Sequence, residues 1–387
     1  MKSIVANVLL LVVLFLTSCA ETTTNNVEPS HTLNMVSDLM KLRSYGYKCP
    51  SFSDIITELE FVPLEPQKEC MLTSIEKIKI DGDKIFIFNE GANLGVFVFD
   101  ITGKYLNKIG DMGSSKQEYI YIEDMTIDTE NKLVLLLGMD EVKIYDYDGK
   151  YIKTVQLNQS SRFRRIESNQ YGYWFASPHM GLDHLLHQYD KDFNPIKDYF
   201  KISTEMTLTA PTFNNPIQCD GNQVCYFDDF ESKYGLIEFG DTISVGTYKF
   251  HTGKEKTFAK HQKYKESLFY DEMLSFCFAN GKSVGDIVLD RFGGFNFLVD
   301  YAANTIRLIP NVDCFMAFLS YYSDGYYYSI MAPENLEEYF LSPPYISNET
   351  KELIKKRIAT FKYPLTPESN YILTRSKINE KVLEEYE

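Results

Sequence analysis

From about residue 54 to the C-terminus, apolar and polar residues alternate in short runs separated by tight polar clusters. Alternation with a period of two marks strands with one buried face, and clusters of Asp, Asn and Gly mark the turns between them. One hairpin recurs. Val96-Phe-Val-Phe-Asp-Ile-Thr-Gly-Lys-Tyr-Leu returns as Val142-Lys-Ile-Tyr-Asp-Tyr-Asp-Gly-Lys-Tyr-Ile, with Phe99 and Tyr145 46 residues apart. A weaker third copy centres on Tyr189-Asp-Lys-Asp, 44 residues further on. A second hairpin is interleaved with the first: Ile80-Asp-Gly-Asp before Lys84-Ile-Phe-Ile-Phe, and Ile127-Asp-Thr-Glu before Lys132-Leu-Val-Leu. Its later copies are Ser168-Asn169 before Tyr173-Trp174-Phe175, Asp220-Gly before Val224-Cys-Tyr-Phe, Asp290 before Phe295-Asn-Phe-Leu, and Asp324-Gly before Tyr326-Tyr-Tyr. The successive intervals are 47, 40, 52, 70 and 34, the long one containing a polar insertion near 251–272.

Two interleaved hairpins every 45 residues or so make four-stranded units, which is the arithmetic of a β-propeller blade. Six copies predict six blades of antiparallel strands in an all-β fold. Radial stacking of small sheets hides the edges that one very wide sheet would expose. The ring also needs closing. Ile56-Thr-Glu-Leu-Glu-Phe-Val-Pro-Leu-Glu precedes the first repeat and Tyr371-Ile-Leu-Thr-Arg-Ser-Lys-Ile follows the last, so the two orphan strands are expected to share one composite blade. Between the last repeat and that strand, Asn348 to Phe361 reads as an amphipathic helix, with Asn348 as N-cap and Leu353, Ile354 and Ile358 as its apolar stripe. A lone helix in a β chain is expected to be an insertion on one face.

The N-terminus changes the picture. Ile4 to Leu16 is a hydrophobic run of 13 residues behind one basic residue, Lys2. It is too short to span a bilayer and reads as the core of a signal peptide. Leu16-Thr17-Ser18-Cys19 closes the run and resembles the lipobox of bacterial lipoproteins, in which the cysteine is diacylated and becomes the new N-terminus. An ordinary cleaved signal with an incidental cysteine is the alternative. The expected organisation is a signal peptide over 1–18, a lipidated N-terminus and flexible tether over 19–53, and a propeller over 54–387. A tether of thirty coil residues would hold a domain on the order of 30 Å from a membrane. Within it, Leu33, Val36, Leu39 and Met40 have helical spacing and suggest a turn or two of helix. Loss of residues 1–18 takes Lys2 and no acidic residue, moving the net charge from −15 to −16. Such a chain is poorly suited to tracking nucleic-acid phosphates or anionic lipid head groups, and no nucleic-acid partner is expected.

Phe61-Val-Pro-Leu-Glu65, then Gly103-Lys-Tyr-Leu-Asn-Lys-Ile-Gly110, then Gly113 and Glu118-Tyr119, resemble the bacterial six-bladed β-propeller lipoproteins related to NHL-repeat proteins. Family members usually carry Gly-Pro-Gly before Glu-Tyr, where this chain has Ser115-Lys116-Gln117. The similarity is strong over roughly residues 55–157, with weaker echoes at Phe239-Gly-Asp-Thr-Ile243 and Asn370-Tyr-Ile-Leu-Thr. It implies a fold, a lipid anchor at Cys19 and a place in the cell envelope, on either face of the outer membrane. It implies no common chemistry, because fold does not dictate function.

Residue chemistry adds little. His179, Asp183, His184 and His187 are the densest group of candidate metal ligands, with only six histidines in the chain. His184 and His187 would share a face on a helix but point to opposite faces of a strand, and no second histidine pair closes a site, so no metal or other cofactor is expected. Gly110-Asp-Met-Gly113 lacks the Gly-Lys-Ser/Thr of a phosphate loop. Asp81-Gly-Asp83 lacks the spaced oxygens of a calcium loop. Six cysteines follow Cys19, at 49, 70, 219, 225, 277 and 314, without zinc spacing; Cys219 and Cys225 flank a turn where either a disulfide or two buried thiols fit. Aromatic residues are 14% of the chain. Those near two expected turns, among them Trp174, Tyr326 and Tyr327, offer flat faces with polar tips for a sugar or peptide, or else pack between blades. With no catalytic constellation, the expected role is a membrane-anchored module that binds or scaffolds a glycan, a peptide or an envelope protein. The alternative is a propeller lyase or hydrolase with a metal or carboxylates at the central channel.

Overall fold

The computed structural model describes residues 30–35, 38, 52–157, 163–176, 183–202, 216–228, 233–251, 272–289, 293–310, 319–344, 346–366 and 369–385. Six antiparallel sheets form the blades of a propeller. Blade 1 comprises Ser74–Asp81, Lys84–Glu90, Gly95–Asp100 and Tyr105–Ile109; blade 2 comprises Asp124–Asp128, Leu133–Leu137, Glu141–Asp146 and Tyr151–Gln156. Blade 3 is Arg165–Asn169, Gly172–Ala176, His184–Tyr189 and Pro195–Lys201; blade 4 is Ile217–Asp220, Gln223–Asp228, Lys233–Phe239 and Ile243–His251. Blade 5 is Glu272–Ala279, Lys282–Leu289, Gly293–Asp300 and Thr305–Pro310. Blade 6 is composite: Tyr321–Ser323, Tyr326–Met331 and Ile372–Ile378 are completed by Ile56–Pro63 from the other end of the chain. Register runs from Ile56 opposite Ile378 to Pro63 opposite Ile372, as the two orphan strands predicted. The first strand of each blade lies innermost and touches the first strands of both neighbours, so the ring is closed.

The apolar alternation explains the stacking. Successive residues of a strand point to opposite faces, so each blade has one face for each neighbour. In the second strand of blade 1, Ile85 and Ile87 pack towards blade 6, while Phe86 and Phe88 pack towards blade 2. Each of the six junctions between blades holds one hydrophobic cluster. A strand covered on both faces reads as a continuous apolar run, which is why Ile85-Phe-Ile-Phe88 contains no polar residue.

The two rims of the ring differ. Turns from first to second strands and from third to fourth strands leave from one face and are tight. Asp100 Oδ1 accepts from the backbone N–H of Thr102 and Lys104, Asp146 Oδ1 from Asp148 and Lys150, and Asp190 Oδ1 from Asp192 and Asn194. This Asx turn, repeated at intervals of 46 and 44 residues, is the physical content of the first sequence repeat. Connections from second to third strands, and from one blade to the next, leave from the opposite face, and those between blades are the longer ones. The helices between Met331 and Ile372 sit on that long-loop face.

Three expectations need correction. The fifth copy of the second hairpin turns at Asn280-Gly281, with φ of 52° and 71°, not at Asp290. Asn-Gly serves that turn as well as Asp does, and Asp290 follows the second strand of blade 5. The helix Asn348–Ile358 is capped by Ser347, whose Oγ accepts from Thr350 N at 3.1 Å, and Leu353 is exposed while Ile354 is buried. One helical position turns a side chain by about 100°, and only one narrow stripe meets the propeller. Of the two readings for Cys219 and Cys225, the thiol one holds, since both are free. Cys219 lies opposite Val224 and Cys225 opposite Gln218, so the two point to opposite faces of blade 4. Finally, the expected tether contains a strand. Ser30–Asn34 pairs parallel with Ile243–His251 as a fifth strand of blade 4, and Leu33 is fully buried there. The short polar segment gave no alternation long enough to predict it.

Candidate functional site

The centre of the ring holds charge. Lys77 and Lys79, two residues apart on the inner strand of blade 1, point the same way and away from Ile78 and Ile80. Lys77 Nζ lies 2.8 Å from Asp124 Oδ2 of blade 2 and 2.9 Å from Glu167 Oε1 of blade 3. Lys79 Nζ lies 2.6 Å from Glu167 Oε2 and 4.8 Å from the centre of the Tyr321 ring in blade 6. Lys77 also donates to the Ile166 carbonyl, and Asp124 accepts from Ile166 N at 2.8 Å. Burial pushes the Glu167 carboxyl up, but the two lysines outweigh it and hold it below its ordinary range. Two cations against two carboxylates leave a neutral plug. Asp124 and Glu167 are thus both paired with lysines. No motif marks this cluster, because its lysines and its two carboxylates come from three different blades.

The residues singled out by sequence fare unevenly. Trp174 is fully buried between blades 3 and 4, its Nε1 donating to Asn169 Oδ1 at 2.9 Å, and Tyr327 is buried between blades 5 and 6. Both serve packing, so neither offers a face to a ligand. Tyr326 is half-buried, with the Arg375 guanidinium 3.5 Å from its ring centre and Lys377 Nζ at 4.5 Å. Its flat face is occupied by cations from its own blade. His187 Nδ1 meets Asp198 Oδ1 at 2.7 Å and its Nε2 meets the His184 carbonyl at 3.1 Å, while His184 Nδ1 stands 4.0 Å from Asp198 Oδ2. Asp198 escaped the sequence reading because strand register, not spacing, sets it opposite His187. Asp183 is exposed, and no group of three His, Cys, Asp or Glu is placed to hold a metal among the described residues. His179 and Cys19 lie outside the described residues.

A surface groove of about 720 Å³ opens on the long-loop face at blade 2. Its walls are the connection from blade 1, residues 110–123, and the hairpin at Gly138-Met139-Asp140. Ile120 and Met139 are 76% and 75% exposed and Tyr121 is 45% exposed; Met112, on the same connection, is 59% exposed. Ile120 and Met139 are the most exposed large apolar side chains among the described residues. Lys116, Glu118, Asp140 and Lys143 contribute charges of both signs.

This connection is built rather than slack. Tyr119 is buried at the junction of blades 1 and 2, its N–H donating to the Asp111 carbonyl and its own carbonyl accepting from Gly113 N, both at 3.0 Å. Glu118 Oε2 accepts from Ser115 N at 2.9 Å, and this bond lowers the Glu118 pKa. A Cβ at Gly113 would meet that carboxylate and push it off its bond to Ser115 N. Tyr145 OH donates to the Gln117 carbonyl at 2.8 Å and Lys143 Nζ to the Lys116 carbonyl at 3.1 Å, pinning the crest of the loop to blade 2. Gly113 and Glu118-Tyr119 were legible as a fold motif; the exposed side chains they hold up were not marked by any motif.

These features define a six-bladed propeller with a neutralised centre and, on its long-loop face, a hydrogen-bonded groove that sets three exposed apolar side chains among polar and charged ones. The chain belongs to the family of the Domain of unknown function DUF4934, whose model matches residues 45–375. A protein of Bacteroides fragilis NCTC 9343 described as exported shares the fold, with a TM-score of 0.64, 15% identity, and coverage of 90% of this chain and 99% of that one. A DUF4221 family member from Bacteroides vulgatus aligns over 84% of this chain and 97% of its own at 9% identity and a TM-score of 0.48. No curated protein sequence matches the chain.

Proposed function

We propose that this protein is a lipid-anchored binding module of the bacterial cell envelope, of the kind its resemblance to NHL-like propeller lipoproteins implies. It docks an apolar segment of a partner protein in the groove at blade 2. The observation that carries this reading is a hydrogen-bonded loop that holds Ile120 and Tyr121 out to solvent opposite Met139. A rigid loop presents apolar surface at little entropic cost on binding, and exposed apolar patches mark interaction sites. The lining favours protein over glycan. Sugar sites rest on aromatic platforms, whereas Ile120 and Met139, two of the three exposed apolar side chains that line the groove, are aliphatic and thioether, and methionine adapts to irregular apolar partners. The lyase or hydrolase alternative gains nothing from the centre of the ring, where lysines occupy the converging carboxylates. Export rests on the run Ile4–Leu16 and anchoring on Cys19, in keeping with the exported propeller of similar fold.

The test is photo-crosslinking in cells, with a photoreactive residue at Met139 and a control at Ile196 on the outer strand of blade 3. A protein adduct found at 139, not at 196, and lost with Ile120→Asp supports the groove. The same adducts at both positions refute it. Membrane partitioning of Cys19→Ala tests the anchor separately, and unchanged partitioning would end that part.

A further inference from the structure

The fifth strand of blade 4 carries directional information. Every other strand pairing among the described residues is antiparallel, but Ser30–Asn34 runs parallel to Ile243–His251, from Ser30 opposite Thr247 to Asn34 opposite His251. The outer strand of a blade leaves a tight turn and climbs towards the long-loop face. In blade 4 that turn is Gly240-Asp241-Thr242. A parallel partner climbs the same way, so the chain comes to Ser30 from the tight-turn side.

The strand is firmly seated. Leu33 and Met35 are fully buried in the cluster between blades 4 and 5, among Tyr248, Tyr301 and Leu308. His31 stacks on Tyr248 with ring centres 4.8 Å apart, and Met35 N donates to the His251 carbonyl at 3.1 Å. Beyond the strand, Asp38 Oδ2 accepts from Leu308 N of blade 5 at 3.1 Å. Residues 20–29, and not the whole span 19–53, therefore separate Cys19 from this fixed point. Ten residues reach at most about 35 Å whatever their conformation.

We infer that the Ser30–Asn34 strand orients the propeller on its membrane, the tight-turn rim of blade 4 towards the lipid and the long-loop face away from it. This rests on the reading of Cys19 as the acylated residue. A leash entering from the tight-turn side and this short holds that rim close. The groove at blade 2 then opens away from the bilayer, where a partner can reach it. An antiparallel fifth strand would have reversed the arrangement.

The test uses full-length protein in vesicles whose lipids carry a head-group quencher. A fluorescent residue is placed in turn at Asp241, on the tight-turn face, and at Lys68, exposed on the long-loop face. Quenching several-fold stronger at 241 than at 68 is expected, with the difference collapsing in Leu33→Asp, or in Leu33→Ala should the first variant fail to fold. Equal quenching, or stronger quenching at 68, overturns the inference. Mass spectrometry reports acylation independently. If Cys19 carries no natural lipid and a synthetic lipid coupled there yields the same asymmetry, the anchor reading falls while the orienting strand stands.

Discussion

Lys79 Nζ of blade 1 lies 2.6 Å from Glu167 Oε2 of blade 3, an ion pair that skips the blade between them. Lys77 completes the link by holding Asp124 of blade 2 and the same glutamate. Such a cluster is not in itself stabilising, because apolar residues of equal volume often do as well, but removing one partner strands a buried charge. Glu167→Gln is therefore expected to cost about 3–5 kcal/mol. The double change Lys79→Met with Glu167→Leu should cost less than the single one. Urea denaturation measures both, and a Glu167→Gln variant within about 1 kcal/mol of the parent, no more than an ordinary surface change, would contradict this account.

The same pair sets an acid limit. The Glu167 carboxyl is held below its ordinary value of 4.5 in the folded protein. A depressed carboxylate contributes stability that is complete above the unfolded value and is lost as pH falls through the folded one. Stability from this group should be flat between pH 7 and about pH 5 and decline below that. Subtracting the pH profile of Glu167→Gln from that of the parent isolates the effect. A difference that grew with acidity instead of shrinking would reverse the assigned sign.

Gly103 seats the closing strand Ile56–Pro63 against blade 1. It has φ of 86°, and a Cβ there would sit 2.3 Å from the Pro63 carbonyl oxygen on the closing strand. Its own carbonyl accepts from Glu65 N at 2.8 Å. Gly103→Ala combines left-handed backbone strain of about 1–3 kcal/mol with a backbone collision that no rotamer relieves. Gly82→Ala, with φ of 60° and open space around it, carries the strain alone. Thermal melts of the two variants should differ, with Gly103→Ala the lower; equal melting temperatures would remove the closure role from Gly103.

Burial raises the pKa of the Cys219 thiol, and pushes that of Cys225, 3.6 Å from Tyr301 OH, up to about 12. A thiol so far from ionisation is a poor nucleophile. Both should resist a water-soluble thiol reagent in the native state and react on unfolding, and peptide mapping without reductant should find no 219–225 bridge. Finding that bridge would require the strands of blade 4 to turn over.

Local signals survive in sequence where the structure is local. The Asp100, Asp146 and Asp190 turns bond within five residues, so each leaves a readable motif, and the alternation of Ile85-Phe-Ile-Phe88 follows from two-sided packing. Ring closure was legible because Ile56–Pro63 and Ile372–Ile378 each looked like a strand without a repeat. Contacts set by the ring itself left no such trace. Glu167 meets Lys79 from 88 positions away and Asp198 meets His187 by register. Trp174 and Tyr327 looked like binding aromatics because sequence does not separate an outward ring from one at a blade junction. Met139 drew no notice, since a single methionine at a hairpin gains meaning only beside Ile120 and Tyr121.

The groove separates function from stability more cleanly than any other part of the protein. Ile120 and Met139 are mostly solvent-exposed, so Ile120→Asp and Met139→Asp should leave stability within about 0.5 kcal/mol of the parent. Each places a charge where an apolar segment must dock, and burying it unpaired would abolish binding. Tyr119→Ala is the opposite case. Tyr119 is buried and its backbone closes the loop, so its loss should cost about 3–5 kcal/mol, the range for removing a buried aromatic ring, and scatter the groove. Melting curves and the crosslinked adduct at position 139, read on the same three variants, decide the matter. Two stable, binding-dead aspartate variants beside one destabilised variant are expected. Aspartate variants that retain the adduct would place the docking surface elsewhere on the long-loop face.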